Sequence, residues 1–127
     1  MIRLVLVDDQ PAVRHSLRMR LGLEPDLEVV GDASTGREAL SLVAQLAPDV
    51  VLMDVAMPDL DGIAATAALR TRCPHSAVIM LSIADDAQTQ ARARAAGAVA
   101  FVEKSGGTET LLSAIRSAAL QIGKSSE

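Results

Sequence analysis

The 127-residue sequence predicts a doubly wound α/β sandwich built on a parallel sheet. Three observations predict it. Short apolar, β-branched runs recur at residues 4–7, 27–30, 50–53, 78–81 and 98–102. These runs are continuous rather than alternating, which suits strands covered on both faces. The intervals between them carry helical spacing and are long enough for the crossovers that parallel strands require.

After the first run, Pro11 fits the opening turn of a helix, where its missing N–H would be unpaired in any case. Val13, Leu17 and Leu21 form an i, i+4 stripe, and Gly22 closes that helix. Beyond the second run, Thr35 and Glu38 have capping-box spacing ahead of Leu40, Val43 and Ala44, and Pro48 follows the helix end. The third helix is expected from near Asp61 through an Ala-rich stretch to about Arg72. The fourth starts at Asp85 or Asp86 and stops at Gly97. The fifth starts near Thr108, with Leu111, Leu112, Ile115, Ala119 and Ile122 facing inward. Residues 1–122 read as one domain and 123–127 as a polar tail, without internal linker, repeat or low-complexity block.

Composition excludes several classes. Twelve Lys+Arg against 16 Asp+Glu give a net charge of −4, and Phe101 is the sole aromatic residue. Such a segment lacks both the charge to neutralise phosphates and the rings to stack bases, so alone it is not expected to bind nucleic acid. The lone Cys73 allows no internal disulfide or cysteine-rich zinc site. No signal-like start is present, and no apolar run approaches the ~20 residues of a membrane span. A soluble, cytoplasmic protein is expected.

The acids are the most informative feature. Asp8 and Asp9 follow the first strand and Asp54 the third, which places all three beyond carboxyl ends of parallel strands. If those strands are neighbours, three carboxylates converge and must be protonated or balanced by cations. A hard divalent ion such as Mg²⁺ is the natural balance for oxygen ligands. Lys104 after the fifth strand supplies the remaining positive charge and can clamp a phosphoryl group, while Ser82 after the fourth adds a hydroxyl. Singly, each has a plainer reading: a strand-end Asp caps the next helix, Ser82 belongs to a turn, and Lys104 is a solvated charge. Together, at the ends of four strands, they exceed what an acidic patch needs. His15 and His75 lack ligand-like spacing.

Other chemistries fit poorly. Neither a P-loop nor a Gly-x-Gly-x-x-Gly motif occurs. Asp59, Asp61 and Gly62 suggest a calcium loop, but Met57 and Ala68 occupy the positions of its first acid and final Glu. A haloacid-dehalogenase-like phosphatase needs a second Asp two residues after its nucleophile, where Ala56 stands.

Four segments, Leu6-Val7-Asp8-Asp9, Leu52-Met53-Asp54-Val55-Ala56-Met57-Pro58-Asp59-Leu60-Asp61-Gly62, Leu81-Ser82 and Phe101-Val102-Glu103-Lys104, resemble the receiver domain of two-component response regulators, the CheY-like fold. The resemblance covers essentially the whole chain. Val7-Asp8-Asp9-Gln10-Pro11 and Glu24-Pro25-Asp26-Leu27-Glu28-Val29-Val30-Gly31 further resemble the NarL/LuxR subfamily. What this implies is a flavodoxin-like (βα)5 sandwich of strand order 2-1-3-4-5. It implies Asp54 as phosphoacceptor from a sensor histidine kinase, and Mg²⁺ held by Asp8, Asp9, Asp54 and the Ala56 carbonyl. Lys104 would pair with the phosphoryl group and Ser82 would move toward it. Phe101 would then rotate and alter the face made by helix 4, strand 5 and helix 5. The domain would catalyse its own phosphorylation as a switch rather than as a metabolic enzyme. It would control transcription, with a homodimer as one assembly. DNA would be contacted only through a helix-turn-helix domain that this chain does not contain, residues 123–127 beginning the linker to it. The alternative is a receiver-like interaction module read without phosphate.

The sequence departs from the family pattern in places. Phe101 stands where Tyr is frequent and lacks its hydroxyl, so it is either a two-position switch or a constant core residue; Ile83 stands where a small residue is common and either restricts access to the phosphoryl site or packs under helix 4. Ala56 and Ala84 offer no group to orient an attacking water, so slow hydrolysis of the phosphorylated form is expected. Ser105 replaces a frequent Pro, so the Lys104–Ser105 peptide is expected to be trans. Met57, Pro58 and Gly62 shape the loop after the acceptor, Gly62 by allowing a conformation that a Cβ resists. Arg14, His15 and Arg18 form a face suited to an acidic kinase surface, with a solvated face as the simpler reading. Arg92 and Arg94 on helix 4 suit dimer or effector contacts.

Overall fold

Strand and helix alternate five times: β1 (Ile2–Val7), α1 (Pro11–Leu21), β2 (Leu27–Ala33), α2 (Gly36–Leu46), β3 (Val50–Asp54), α3 (Gly62–Arg72), β4 (Ala77–Ser82), α4 (Ala87–Ala96), β5 (Ala100–Glu103) and α5 (Thr108–Ser125). This computed structural model describes residues 1–83 and 86–125, the side chains of 122–125 excepted. The expectations placed on Ala84, Asp85 and the Ile122 side chain lie outside the described residues. All strands pair in parallel in the order β2-β1-β3-β4-β5. The sheet therefore has the doubly wound, flavodoxin-like topology, and β1 and β3 are central neighbours.

The central strands are buried along nearly their whole length, and successive residues feed opposite faces of the sheet. Leu4, Leu6, Leu52, Ile79 and Leu81 join Leu17 and Leu21 of α1 and Leu111, Leu112 and Ile115 of α5 in one apolar cluster. Val5, Val7, Val51, Met53 and Met80 join Ala39 and Val43 of α2, Leu69 of α3 and Ala93 of α4 in a second. Continuous apolar runs are thus the signature of two-sided burial, as the sequence pattern implies.

Local chemistry sets the helix ends. Thr35 accepts the Glu38 N–H at 3.1 Å, while the Glu38 carboxylate bonds the Ser34 hydroxyl at 3.1 Å instead of returning to the Thr35 amide. Asp61 and Asp86 cap α3 and α4 by accepting the N–H groups of Ala64 and Gln88. Arg3, from β1, donates to the carbonyls of Leu46 and Ala47 and satisfies the end of α2.

Several boundaries and faces refine the sequence expectation. β5 begins at Ala100, because the Ala98 N–H bonds the Ala93 carbonyl and finishes α4. Ala44 is exposed, and Ala39 with Val43 forms the buried edge of α2. Ala119 packs against the first cluster as expected, with Ala118 beside it more deeply buried. α5 continues through Gly123, Lys124 and Ser125, three of the five tail residues. No peptide bond is cis among the described residues, including Lys104–Ser105. None of their helices is long and apolar enough to cross a membrane.

Candidate functional site: an acidic cluster bridged by a lysine

Because β1 and β3 are adjacent, their carboxyl ends deliver Asp8, Asp9 and Asp54 to one place. One carboxylate oxygen from each lies within 4.8 Å of the other two. Asp8 and Asp54 are buried, whereas Asp9 is exposed at the mouth. The donor set is wholly carboxylate oxygen, which fits a hard cation such as Mg²⁺ better than zinc or copper.

Lys104, just beyond β5, reaches back over the sheet edge. Its Nζ lies 2.8 Å from Asp8 Oδ2 and 3.2 Å from Asp54 Oδ1, so one ammonium bridges the two buried acids. The Lys104 amide donates to the Ser82 carbonyl at 2.7 Å, fixing the root of the lysine against the end of β4. Ser82 itself is buried at that end, one strand from Asp54.

Electrostatics in the cluster oppose one another. Burial, and then the neighbouring charge of Asp8, push the Asp54 carboxyl above its usual range, while Lys104 and the Ala56 N–H pull it back. Burial lowers Lys104, yet its hydrogen bond to Asp8 and the charge of Asp54 leave it raised overall. The lysine therefore stays charged between two buried carboxylates.

The loop after β3 is built around close approach. The Ala56 N–H points to Asp54 Oδ1 at 3.3 Å. Gly62 packs so tightly that a Cβ there would stand 1.9 Å from the Asp54 carbonyl oxygen. Its backbone is not in the left-handed region; that conformation falls to Asp59, whose φ is 68°. Gly62 is thus required for space and not for conformational freedom, which corrects the expectation from sequence. Thr66, one turn along α3, donates to the Gly62 carbonyl at 2.7 Å and holds the helix start in place.

Three further residues stand as follows. Phe101 is half-buried and packs against the second apolar cluster, on the α4 side of the sheet. Ile83 is 82% exposed, so it does not pack under α4. Arg14 is not part of a solvated face: it donates to the Asp8 carbonyl at 2.6 Å and lies 3.5 Å from Asp32, which Arg18 also approaches at 3.6 Å. Sequence reasoning missed the Arg14 contact. The available signal was a cation in the opening turns of a helix, where the dipole disfavours it.

Comparison with known proteins agrees with this geometry. Residues 4–116 match the family described as the response regulator receiver domain. Among characterised sequences, a protein-glutamate methylesterase/protein-glutamine glutaminase of Methanospirillum hungatei is 43% identical over 82% of this chain and 30% of its own length. The transcriptional regulatory protein LiaR of Bacillus subtilis is 37% identical over 93% of this chain and 56% of its own length. The chain thus spans about a third to just over half of such relatives. Among solved structures, the response regulator domain of Thermotoga maritima CheB superposes with a TM-score of 0.87 at 35% identity, covering 94% of this chain and 96% of that one. The receiver domain of a NarL regulator from Mycobacterium tuberculosis gives 0.88 at 32% identity, covering 93% and 95%.

Proposed function

This chain belongs to the response regulator receiver domain family, and on that premise we propose that Asp54 accepts a phosphoryl group, in the cytoplasm, from a sensor histidine kinase. The observation that carries this reading is the bridging ammonium: Lys104 contacts Asp8 and Asp54 together, beside an all-oxygen cluster suited to Mg²⁺.

An ionised Asp54 oxygen attacks phosphorus as the P–N bond of the phosphohistidine breaks, the electron pair leaving with the imidazole nitrogen. Asp8, Asp9, Asp54 and the Ala56 carbonyl would hold the metal. When bound, Mg²⁺ supplies charge neutralisation to the phosphoryl oxygens. Lys104 exchanges its carboxylate partners for a phosphoryl oxygen, and the Ser82 hydroxyl donates to another. The new group carries more negative charge than the carboxylate it replaces and more acceptor oxygens, which draws Ser82 inward. Phe101, half-buried on the α4 side, is the side chain through which that movement reaches the α4, β5 and α5 face. The relatives that are transcription regulators support an output on transcription, delivered through a DNA-binding domain outside this chain.

The test is incubation with Mg²⁺ and acetyl phosphate, followed by intact mass spectrometry of the wild type and Asp54→Ala. A single phosphoryl adduct on the wild type alone is expected. Absence of an adduct on folded wild type, with acetyl phosphate and with a competent kinase, would favour a module read without phosphate.

A further inference from the structure

Arg14 occupies an unfavourable place for a cation. It lies near the start of α1, a helix with no acidic residue in its first turn and no side-chain cap from Gln10. Its side chain is nonetheless only 18% exposed, and its NH1 group donates to the main-chain oxygen of Asp8 at 2.6 Å. Asp32, on the neighbouring strand β2, steadies the same guanidinium at 3.5 Å.

The Asp8 carbonyl belongs to the peptide joining Asp8 to Asp9. Its orientation sets the direction in which Asp9 leaves the strand. The Asp8 carboxylate is fixed independently, with Oδ1 accepting the Gln10 N–H at 2.9 Å and Oδ2 meeting Lys104. Asp9 has no such support, since no hydrogen bond or ion pair holds its carboxylate among the described residues. Its placement depends on the peptide plane alone.

We propose that Arg14 is a positioning residue: buttressed by Asp32, it locks the Asp8–Asp9 peptide and so aims the Asp9 carboxylate at the cation site. This rests on the receiver reading insofar as the cluster binds Mg²⁺. Partners outside the ligand set commonly change metal affinity by 10–100-fold when removed. The sign separates this role from simple charge. Deleting a cation beside three carboxylates should tighten Mg²⁺ binding on Coulombic grounds, whereas loss of aim weakens it.

Isothermal titration of the full chain with Mg²⁺ tests the proposal, with the backbone amide shifts of Asp8, Asp9 and Gln10 as a second readout. Arg14→Met is expected to raise Kd about tenfold. Arg14→Lys, which offers one nitrogen in place of two, should weaken binding less. Asp32→Asn should weaken it in the wild-type background and add nothing to Arg14→Met, as a coupled pair requires. Unchanged or tighter binding by folded Arg14→Met overturns the proposal. Should that variant not fold, unchanged affinity in both Arg14→Lys and Asp32→Asn overturns it equally. Failure of the receiver reading looks different: wild type would bind no Mg²⁺, or Asp9→Ala would bind it as well as wild type, and either result removes both.

Discussion

Gly62→Ala would set a methyl group 1.9 Å from the Asp54 carbonyl oxygen, 2.9 Å from its carbon and 3.0 Å from Val55 Cα. All three atoms are backbone, so no flexible side chain can yield. Restoring ordinary contact means moving the first of them about 1.5 Å further away. The end of β3 is buried and paired with β4, so the loop must move instead, breaking the Gly62 N–H bond to the Val55 carbonyl at 3.0 Å. Overpacking of this kind destabilises by about 1–3 kcal/mol, and a backbone clash belongs at the upper end. A domain of 127 residues unfolds with an entropy of about 0.27 kcal/mol/K, so about 3 kcal/mol lowers Tm by roughly 11 °C. Asp54, the proposed acceptor, would also shift, and a misplacement near 1 Å can slow a reaction by about 10²-fold. Thermal unfolding by circular dichroism and phosphorylation by acetyl phosphate are the assays. Gly107→Ala is the control, since a Cβ there meets nothing within 4 Å. A Gly62→Ala protein that melts with the wild type and phosphorylates at its rate would refute the reasoning.

Lys104→Met should slow phosphorylation by about 10²–10³-fold, judged from single-turnover mass spectra, because one clamping donor is lost. Asp54 has a raised folded pKa, so the unfolded chain ionises first and the wild type loses stability as pH rises from about 4 through that value. Urea unfolding in EDTA should therefore show the advantage of Asp54→Asn growing with pH across that window; a constant difference would contradict it. Arg116→Ala removes hydrogen bonds to Asp26 and Glu24 that tie α5 to the α1–β2 turn, and should lower Tm more in low salt than in high. Ala56→Asn should lose its phosphoryl group faster than wild type in a phosphate-release assay, since it adds a polar group at the exposed edge of the loop.

The sheet was legible because burial on both faces leaves unbroken apolar runs, and the acids were legible because strand ends in parallel sheets gather at one edge. α4 was legible from its ends alone, the cap at Asp86 and the stop at Gly97. Its only buried residue is Ala93, so no apolar stripe marks its inner face, and what the sequence misplaced was the start of β5, expected at Ala98 and found at Ala100. Arg14 and Gly62 were misread for a common reason. Each acts across elements, on the Asp8 carbonyl in one case and the Asp54 carbonyl in the other, and no local pattern announces such a contact.

The two apolar clusters are separated by the sheet itself. It works as a bulkhead: Phe101 borders one compartment, while α1 and α5 press on the other. On the proposed switch, a rotation of that ring would rearrange the compartment it borders and the adjoining edge of α5, while α1 keeps its packing across the sheet, so the fold would signal at one edge and stay anchored on the opposite flank.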